Sequence, residues 1–184
     1  ASGEPLKIGI IAFDALSIEF SSTRIDAILN RLDENNIKYE IVGRQDATEQ
    51  DKALEVASDM LTATPDLDMF ISACEAGNIG AIMAVVNAGN VGKTKVFGID
   101  TSVQIAKLMQ EYEGVGMCFV GQDSFACGYS AAEQCIKLGL GIEDEKTESE
   151  KYKLNIGPNM ILDITEPSTV DDFISKMAEL GITG

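Results

Sequence analysis

PDLDMFISACEAGNIGAIMAVVNAGNVGKTKVFGID, residues 65–100, contains a complete strand–helix–strand unit. Pro65 keeps a helix from running into the segment, because its ring clashes with a helical residue before it. Leu67 to Ala73 is then an apolar run of strand length, Gly77 to Ala88 is a helix rich in Ala and Ile, and Gly89 stops it. Lys95 to Ile99 is a second apolar strand. Two strands joined through a helix lie parallel in a sheet that helices cover.

The alternation continues outward on both sides. Upstream, Leu6 to Phe13 is a strand, Ser21 or Ser22 caps a helix with Ile25, Ile28, Leu29 and Leu32 on one face, and Asn35-Asn36 ends it. Lys38 to Gly43 is the next strand and Thr48 to Ala63 the next helix, with Ala53, Val56, Ala57, Met60 and Leu61 inward. Downstream, a helix from Ser102 to Glu111, a fifth strand from Gly116 to Val120 and a helix from Ser124 to Leu138 follow. Gly139 to Glu150 is acidic and polar, a solvated loop. Lys151 to Ile156 and Met160 to Ile164 read as short strands, and Ser168 or Thr169 caps a final helix, Val170 to Leu180. The expected fold is α/β: a doubly wound, mostly parallel sheet with helices on both faces.

Composition removes several function classes. At roughly 150 residues per domain, 184 residues make one well-cored domain with an appendage, or two small ones. Apolar residues at 45% and charged residues at 24% fit a globular chain. The 14 Lys and Arg against 30 Asp and Glu leave a net charge of −16 without a local basic patch, which opposes nucleic acid and anionic membranes. Histidine is absent, so Ser-His-Asp and Cys-His nucleophile systems and His-ligated metals are excluded. Cys74, Cys118, Cys127 and Cys135 show no metal spacing and read as small buried thiols. If Cys127 and Cys135 share a helix they stand about 12 Å apart, too far for a disulfide.

The segment NAGNVGKT ends like a phosphate-binding loop, but Asn87 stands where its leading glycine belongs, and the segment leaves a helix and enters a strand. GVGMC at Gly114 to Cys118 lacks the third glycine of a dinucleotide fingerprint. Parallel open sheets bind ligands at the carboxyl ends of their strands. The residues there are Asp14, Gln45-Asp46, Cys74-Glu75, Asp100 and Gln122-Asp123, with Arg24 on the first helix to offset their charge. Each could instead only cap a helix, as Asp100-Thr101-Ser102 would. A phosphoacceptor domain would need paired acids after the first strand and a lysine where Gln122 sits.

Several of these positions stand together in TRIDAI at Thr23 to Ile28, DKALEVASDMLTATPDLDMFIS at Asp51 to Ser72, GAIMAVVNAG at Gly80 to Gly89, KVFGIDTS at Lys95 to Ser102 and GQDSFACGYSAAEQ at Gly121 to Gln134. In that order they resemble the C-terminal lobe of type I periplasmic sugar-binding proteins, the family of the ribose- and galactose-binding proteins, over roughly residues 6 to 164. The resemblance implies a ligand-binding lobe at 1–122, a hinge-crossing helix and acidic loop at 123–150, and returning strands with a C-terminal helix at 151–184. It also implies that Arg24 donates to sugar hydroxyls, Asp100 accepts from them and Gln122 touches the ligand near the hinge, with Asp14, Cys74 and Glu75 on the same rim.

Two departures from the family pattern shape the expected ligand. Cys74 replaces the usual Asn, and the aromatic platform expected near Thr48 is missing from a chain without Trp, so a small polyol or sugar-like solute is implied. The expected role is non-enzymatic binding without a cofactor, for an ABC importer or a chemoreceptor. Ligand sensing in a transcriptional regulator or signalling receptor, and an enzyme of flavodoxin-like topology, are the alternatives. The resemblance implies a periplasmic or extracellular location, lipid-anchored in a Gram-positive source, with a membrane permease or receptor as partner. The chain begins where the family's second lobe begins, so it is expected to be one lobe of a longer protein or a protein that works as a single lobe. Phe125, Tyr129, Ala132, Ile136 and Leu138 form an apolar stripe on the Ser124–Leu138 helix, which is expected to support a homodimer.

Overall fold

Ile8, Ile10 and Ile11 are all fully buried, so the strand that carries them needs cover on both faces. The computed structural model describes residues 3–141 and 159–183. Its elements run β1 (Leu6–Ala12), α1 (Asp14–Glu34), β2 (Tyr39–Asp46), α2 (Gln50–Ala63), β3 (Met69–Ser72), α3 (Glu75–Asn87), β4 (Lys95–Ile99), α4 (Val103–Glu111), β5 (Gly116–Gln122), α5 (Ser124–Gly139), β6 (Asn159–Asp163) and α6 (Ser168–Glu179). The strand order is β2-β1-β3-β4-β5-β6. β1 pairs in parallel with β2 and β3, and the β3–β4 and β4–β5 pairs are also parallel.

The side chains of β1 show how the two faces are covered. Ile8, Ile10 and Ala12 pack with Ile25, Ile28, Leu29 and Leu32 of α1. Gly9 instead lies against Phe70 and Met60, and Ile11 against Gly77. Strand alternation therefore sends α1 to one face and α2 and α3 to the other, as expected of a doubly wound sheet. The inward residues expected of α2, Ala53, Val56, Ala57, Met60 and Leu61, are all buried. Two compact units are present, Ala1–Val120 with Ile161–Gly184, and Gly121–Met160.

Several element boundaries differ from those read in the sequence. α1 begins at Asp14, and Ser17, in extended backbone, interrupts it. The Ser17 hydroxyl accepts from Phe20 N at 3.5 Å, so Ser17 opens the main body of the helix. Ser21 is buried and accepts from Phe13 N at 3.1 Å, holding the turn between β1 and α1. β2 continues past Gly43 because Arg44, Gln45 and Asp46 stay in register with Ile10, Ile11 and Ala12. At α6 no side chain caps the first turn; Thr169 Oγ1 accepts from Asp163 N at 2.9 Å and donates to Glu166 O at 2.8 Å. The expected strand Lys151 to Ile156, most of the acidic Gly139–Glu150 segment and the Leu138 side chain lie outside the described residues. Asn87 is the last residue of α3 and Thr94 is buried with its hydroxyl on Leu67 O at 2.8 Å, so NAGNVGKT is a helix-to-strand turn. All four cysteines are free. None is fully buried, and Cys127 and Cys135 are exposed on α5, as are Phe125, Tyr129 and Ile136. The Phe125 and Tyr129 rings stack with centroids 6.4 Å apart.

Gly80 sets how closely α2 and α3 approach. A Cβ there would stand 2.4 Å from Ala53 Cβ and 2.6 Å from Leu54 N. Alanine at a helical position gains up to about 1 kcal/mol over glycine from backbone entropy alone. Backbone contacts this short cannot relax by a rotamer change, so overpacking outweighs that gain. Gly80→Ala is expected to destabilise the fold by about 1–3 kcal/mol in urea denaturation; an unchanged midpoint would show that the α2–α3 packing is looser than this.

Candidate functional site

The strand order places a topological switch between β1 and β3, whose following helices leave toward opposite faces. The crevice at such a switch, outside the carboxyl ends of the strands, is where an open α/β sheet binds ligands. Arg24, on α1, reaches across it. Its Nη1 donates to Ala73 O at 2.7 Å and to Asp100 Oδ2 at 3.1 Å. The Phe13 ring supports the guanidinium from 5.4 Å, a cation–π contact. Both charged side chains are partly open to solvent, at 25% and 33%. Among the described residues, Arg24 uses only Nη1 and Asp100 only Oδ2 on protein side-chain and carbonyl partners.

The structure separates the helix-capping role from this site. Ser102, not Asp100, caps α4, its hydroxyl accepting from Ile105 N at 3.3 Å. Asp100 itself holds φ +77°, a left-handed backbone that a non-glycine residue adopts at a cost. Asp123 is the acid that does cap, accepting from Ala126 N at 2.9 Å, and Gln122 ends β5 exposed, in the second unit.

Cys74 lies at the end of β3, its thiol donating weakly to Ala47 O at 3.7 Å. Burial pushes the thiol pKa up and the Asp100 carboxylate pushes it further, so the sulfur stays protonated at neutral pH and lacks nucleophile character. Glu75 follows, half-buried in the first turn of α3.

Asp14 is engaged by Arg44, a residue the sequence reading passed over. Arg44 Nη2 donates to Asp14 Oδ1 at 2.8 Å and Nε donates to Oδ2 at 3.1 Å, while Nη2 also reaches Ser22 Oγ at 3.3 Å. Asp46 Oδ1 accepts from Ala15 N at 3.2 Å. Arg44 stands at the carboxyl end of β2 beside Gln45 and Asp46, and its signal is that place, next to the acids and amides expected to line the rim. A second missed residue is Asn78, fully buried on α3, whose Nδ2 donates to Ile99 O at 2.7 Å and Asp100 O at 3.2 Å. Among the described residues, no cluster of three or more acids or cysteines is placed to hold a metal, and no helix is long and apolar enough to cross a membrane.

Residues 6–142 match the family described as periplasmic binding protein domain. The chain belongs to that family. This chain is also 35% identical over 71 residues to the ABC transporter periplasmic-binding protein YphF of Escherichia coli K12, a match covering 39% of this chain and 22% of YphF. An Actinobacillus succinogenes ABC transporter periplasmic solute binding protein, solved with bound D-allose, superposes with a TM-score of 0.76 at 22% identity, covering 92% of this chain and 55% of that one. A periplasmic sugar-binding protein from Pseudomonas fluorescens superposes with a TM-score of 0.79 at 14% identity, covering all of this chain, 100%, and 53% of that one. At these identities the two structures establish the shared fold, and this domain spans about half of their length.

The Asp14–Arg44 pair makes stability depend on pH. Hydrogen bonding from Arg44 holds the Asp14 carboxyl below its ordinary 3.8, and Ser21 assists. A carboxylate with a lowered folded pKa stabilises above its unfolded value, and that stabilisation is lost as pH falls through the folded value. Arg44→Gln is therefore expected to lower stability at neutral pH and to flatten its decline below about pH 4. Parallel acid-denaturation curves for the two proteins would contradict the pairing.

Proposed function

We propose that this chain is a solute-binding lobe that takes a small sugar-like or polyol ligand at the carboxyl ends of β1, β3 and β4, without catalysing a reaction. The observation that carries the reading is the Arg24–Asp100 pair, in which each partner keeps hydrogen-bonding capacity toward solvent. Of two adjacent hydroxyls, one can donate to the carboxylate while the other accepts from the guanidinium fork, and each such charge-assisted bond is stronger than its neutral counterpart. Binding of D-allose by the Actinobacillus succinogenes relative and of D-fucose by one from Agrobacterium vitis supports this ligand class. The protonated Cys74 thiol and the absence of histidine weigh against a hydrolytic or acyl-transfer enzyme.

The proposal extends to the working context. The protein acts in the periplasm or outside the cell, lipid-anchored where the source is Gram-positive, and passes its ligand to a membrane permease or a receptor. Cys74 and Glu75 border the ligand. Asp14 braces the rim through Arg44, and the ligand contact of Gln122 rests on the resemblance alone. Self-association through α5 is part of the same proposal, supported by the exposure of Phe125, Tyr129 and Ile136.

Calorimetric titration with D-allose, D-ribose, D-fucose and myo-inositol, beside a turnover screen, tests the reading. A complete site worth about −8 kcal/mol would leave about −4 kcal/mol in half of it, a millimolar Kd. Weak binding of at least one of these, lost in Arg24→Gln and Asp100→Asn, is the expected result. Turnover, or binding unchanged in both variants, would contradict it; micromolar binding would show that this lobe alone suffices.

A further inference from the structure

Asp100 has to keep its left-handed backbone for its carboxylate to meet Arg24, and the side chain best placed to hold it is Asn78. Asn78 reaches from the second turn of α3 to the end of β4, where Nδ2 donates to the carbonyls of both Ile99 and Asp100, at 2.7 and 3.2 Å. These are the carbonyls on either side of the Asp100 φ angle. A donor shared between them fixes the local path of the chain in a way that one hydrogen bond would not. The Asp100 N–H is held separately, by Val120 O on β5 at 2.9 Å.

The other end of the amide shows how closely α3 was brought in. Among the described residues Asn78 Oδ1 is buried without a hydrogen-bond partner, a state that costs free energy in a folded interior. It faces Gly98, where a Cβ would stand only 1.9 Å from Oδ1 and 2.8 Å from Ser72 O. Glycine at this position leaves that space to a Cα hydrogen, where any larger side chain would displace the amide. Exchanging the amide's O and N would set the oxygen against two carbonyls, so the orientation is fixed. Asn78 is fully buried, with its amide nitrogen on the end of β4 and its oxygen against Gly98.

We propose that Asn78, seated against Gly98, is the positioning residue that holds Asp100 in its left-handed conformation and thereby aims its carboxylate at Arg24 and at the ligand hydroxyls. The second half of that statement rests on the sugar-site reading; the first does not. Asn78 touches no ligand itself and acts through Asp100.

The test has one arm for each half. In the unliganded protein, the NMR signals of the Arg24 guanidinium report its pairing with Asp100. Asn78→Ala and Gly98→Ala are both expected to move those signals toward the positions they take in Asp100→Asn, while Gly80→Ala, which burdens the same helix away from β4, leaves them in place. Gly98→Ala reaches the device from the opposite side should Asn78→Ala fail to fold. In titration with D-allose, Asn78→Ala is expected to weaken binding about tenfold in the parent and to have no further effect in the Asp100→Asn background. Arg24 signals unchanged in folded Asn78→Ala and Gly98→Ala would overturn the positioning role. Moved signals with unchanged D-allose affinity would overturn its bearing on the ligand. Absence of binding by D-allose, D-ribose, D-fucose and myo-inositol alike in the parent would overturn the sugar reading and with it the second half, with the spectroscopic arm still deciding the first.

Discussion

The order in which β1 and β3 lie side by side in the sheet is the constraint from which the site follows. Strand alternation in β1 fixes Ile8, Ile10 and Ala12 toward α1 and Ile11 toward α3, so the chain leaves the two neighbouring strands on opposite faces. A crevice must open between those departures. Arg24 spans it because α1 starts directly after β1, which brings a side chain in the third turn of that helix back over the Ala73 carbonyl. The Arg24–Asp100 pair is thus a consequence of topology before it is a feature of chemistry.

Around this pair the rim is stiffened by polar contacts of unequal kinds. On the β1 side, Arg44, Asp14 and Ser21 fix the turn that carries Phe13, and Phe13 in turn supports the Arg24 guanidinium. On the β4 side, Asn78 ties the backbone beneath Asp100. The first set is partly exposed and sensitive to protonation, whereas the second is buried and neutral. Two charged groups held open toward solvent need such support, because an unbraced guanidinium and carboxylate would collapse into full mutual pairing and present nothing to a ligand.

The fold was legible because apolar runs and helical faces alternate without interruption: Leu67–Ala73, Gly77–Ala88 and Lys95–Ile99 lie within two residues of β3, α3 and β4. The place of Asp100 was legible for a related reason, since a strand's carboxyl end can be located once the strand is; Arg24 was named from its place on the first helix and from the family resemblance, and its pairing with Asp100 emerges only from the structure. The misread boundaries share a cause. Ser17, Ser21 and Ser22 are all competent caps, and only the tertiary contacts of Phe13 and Asp14 decide that Ser17 opens the helix body while the other two bind the turn and Arg44. Arg44 stands beside Gln45 and Asp46 at the end of β2, but only the pairing of β2 with β1 brings it to Asp14 at the start of α1. Asn78 gave no signal at all: in the sequence it is one polar residue in an apolar helix, and its role exists only where α3 meets Gly98.

The central claim is that sugar hydroxyls are met at the carboxyl ends of β1, β3 and β4 by Arg24 and Asp100. Chemical-shift mapping of the isotope-labelled chain during addition of D-allose tests it most directly. The account predicts that the Arg24 guanidinium signals and the backbone amides of Cys74, Asp100 and Thr101 shift together along one saturating curve. Shifts clustered at the opposite rim, around Lys7, Asp66 and Asp68, with Arg24 and Asp100 unmoved, would contradict it.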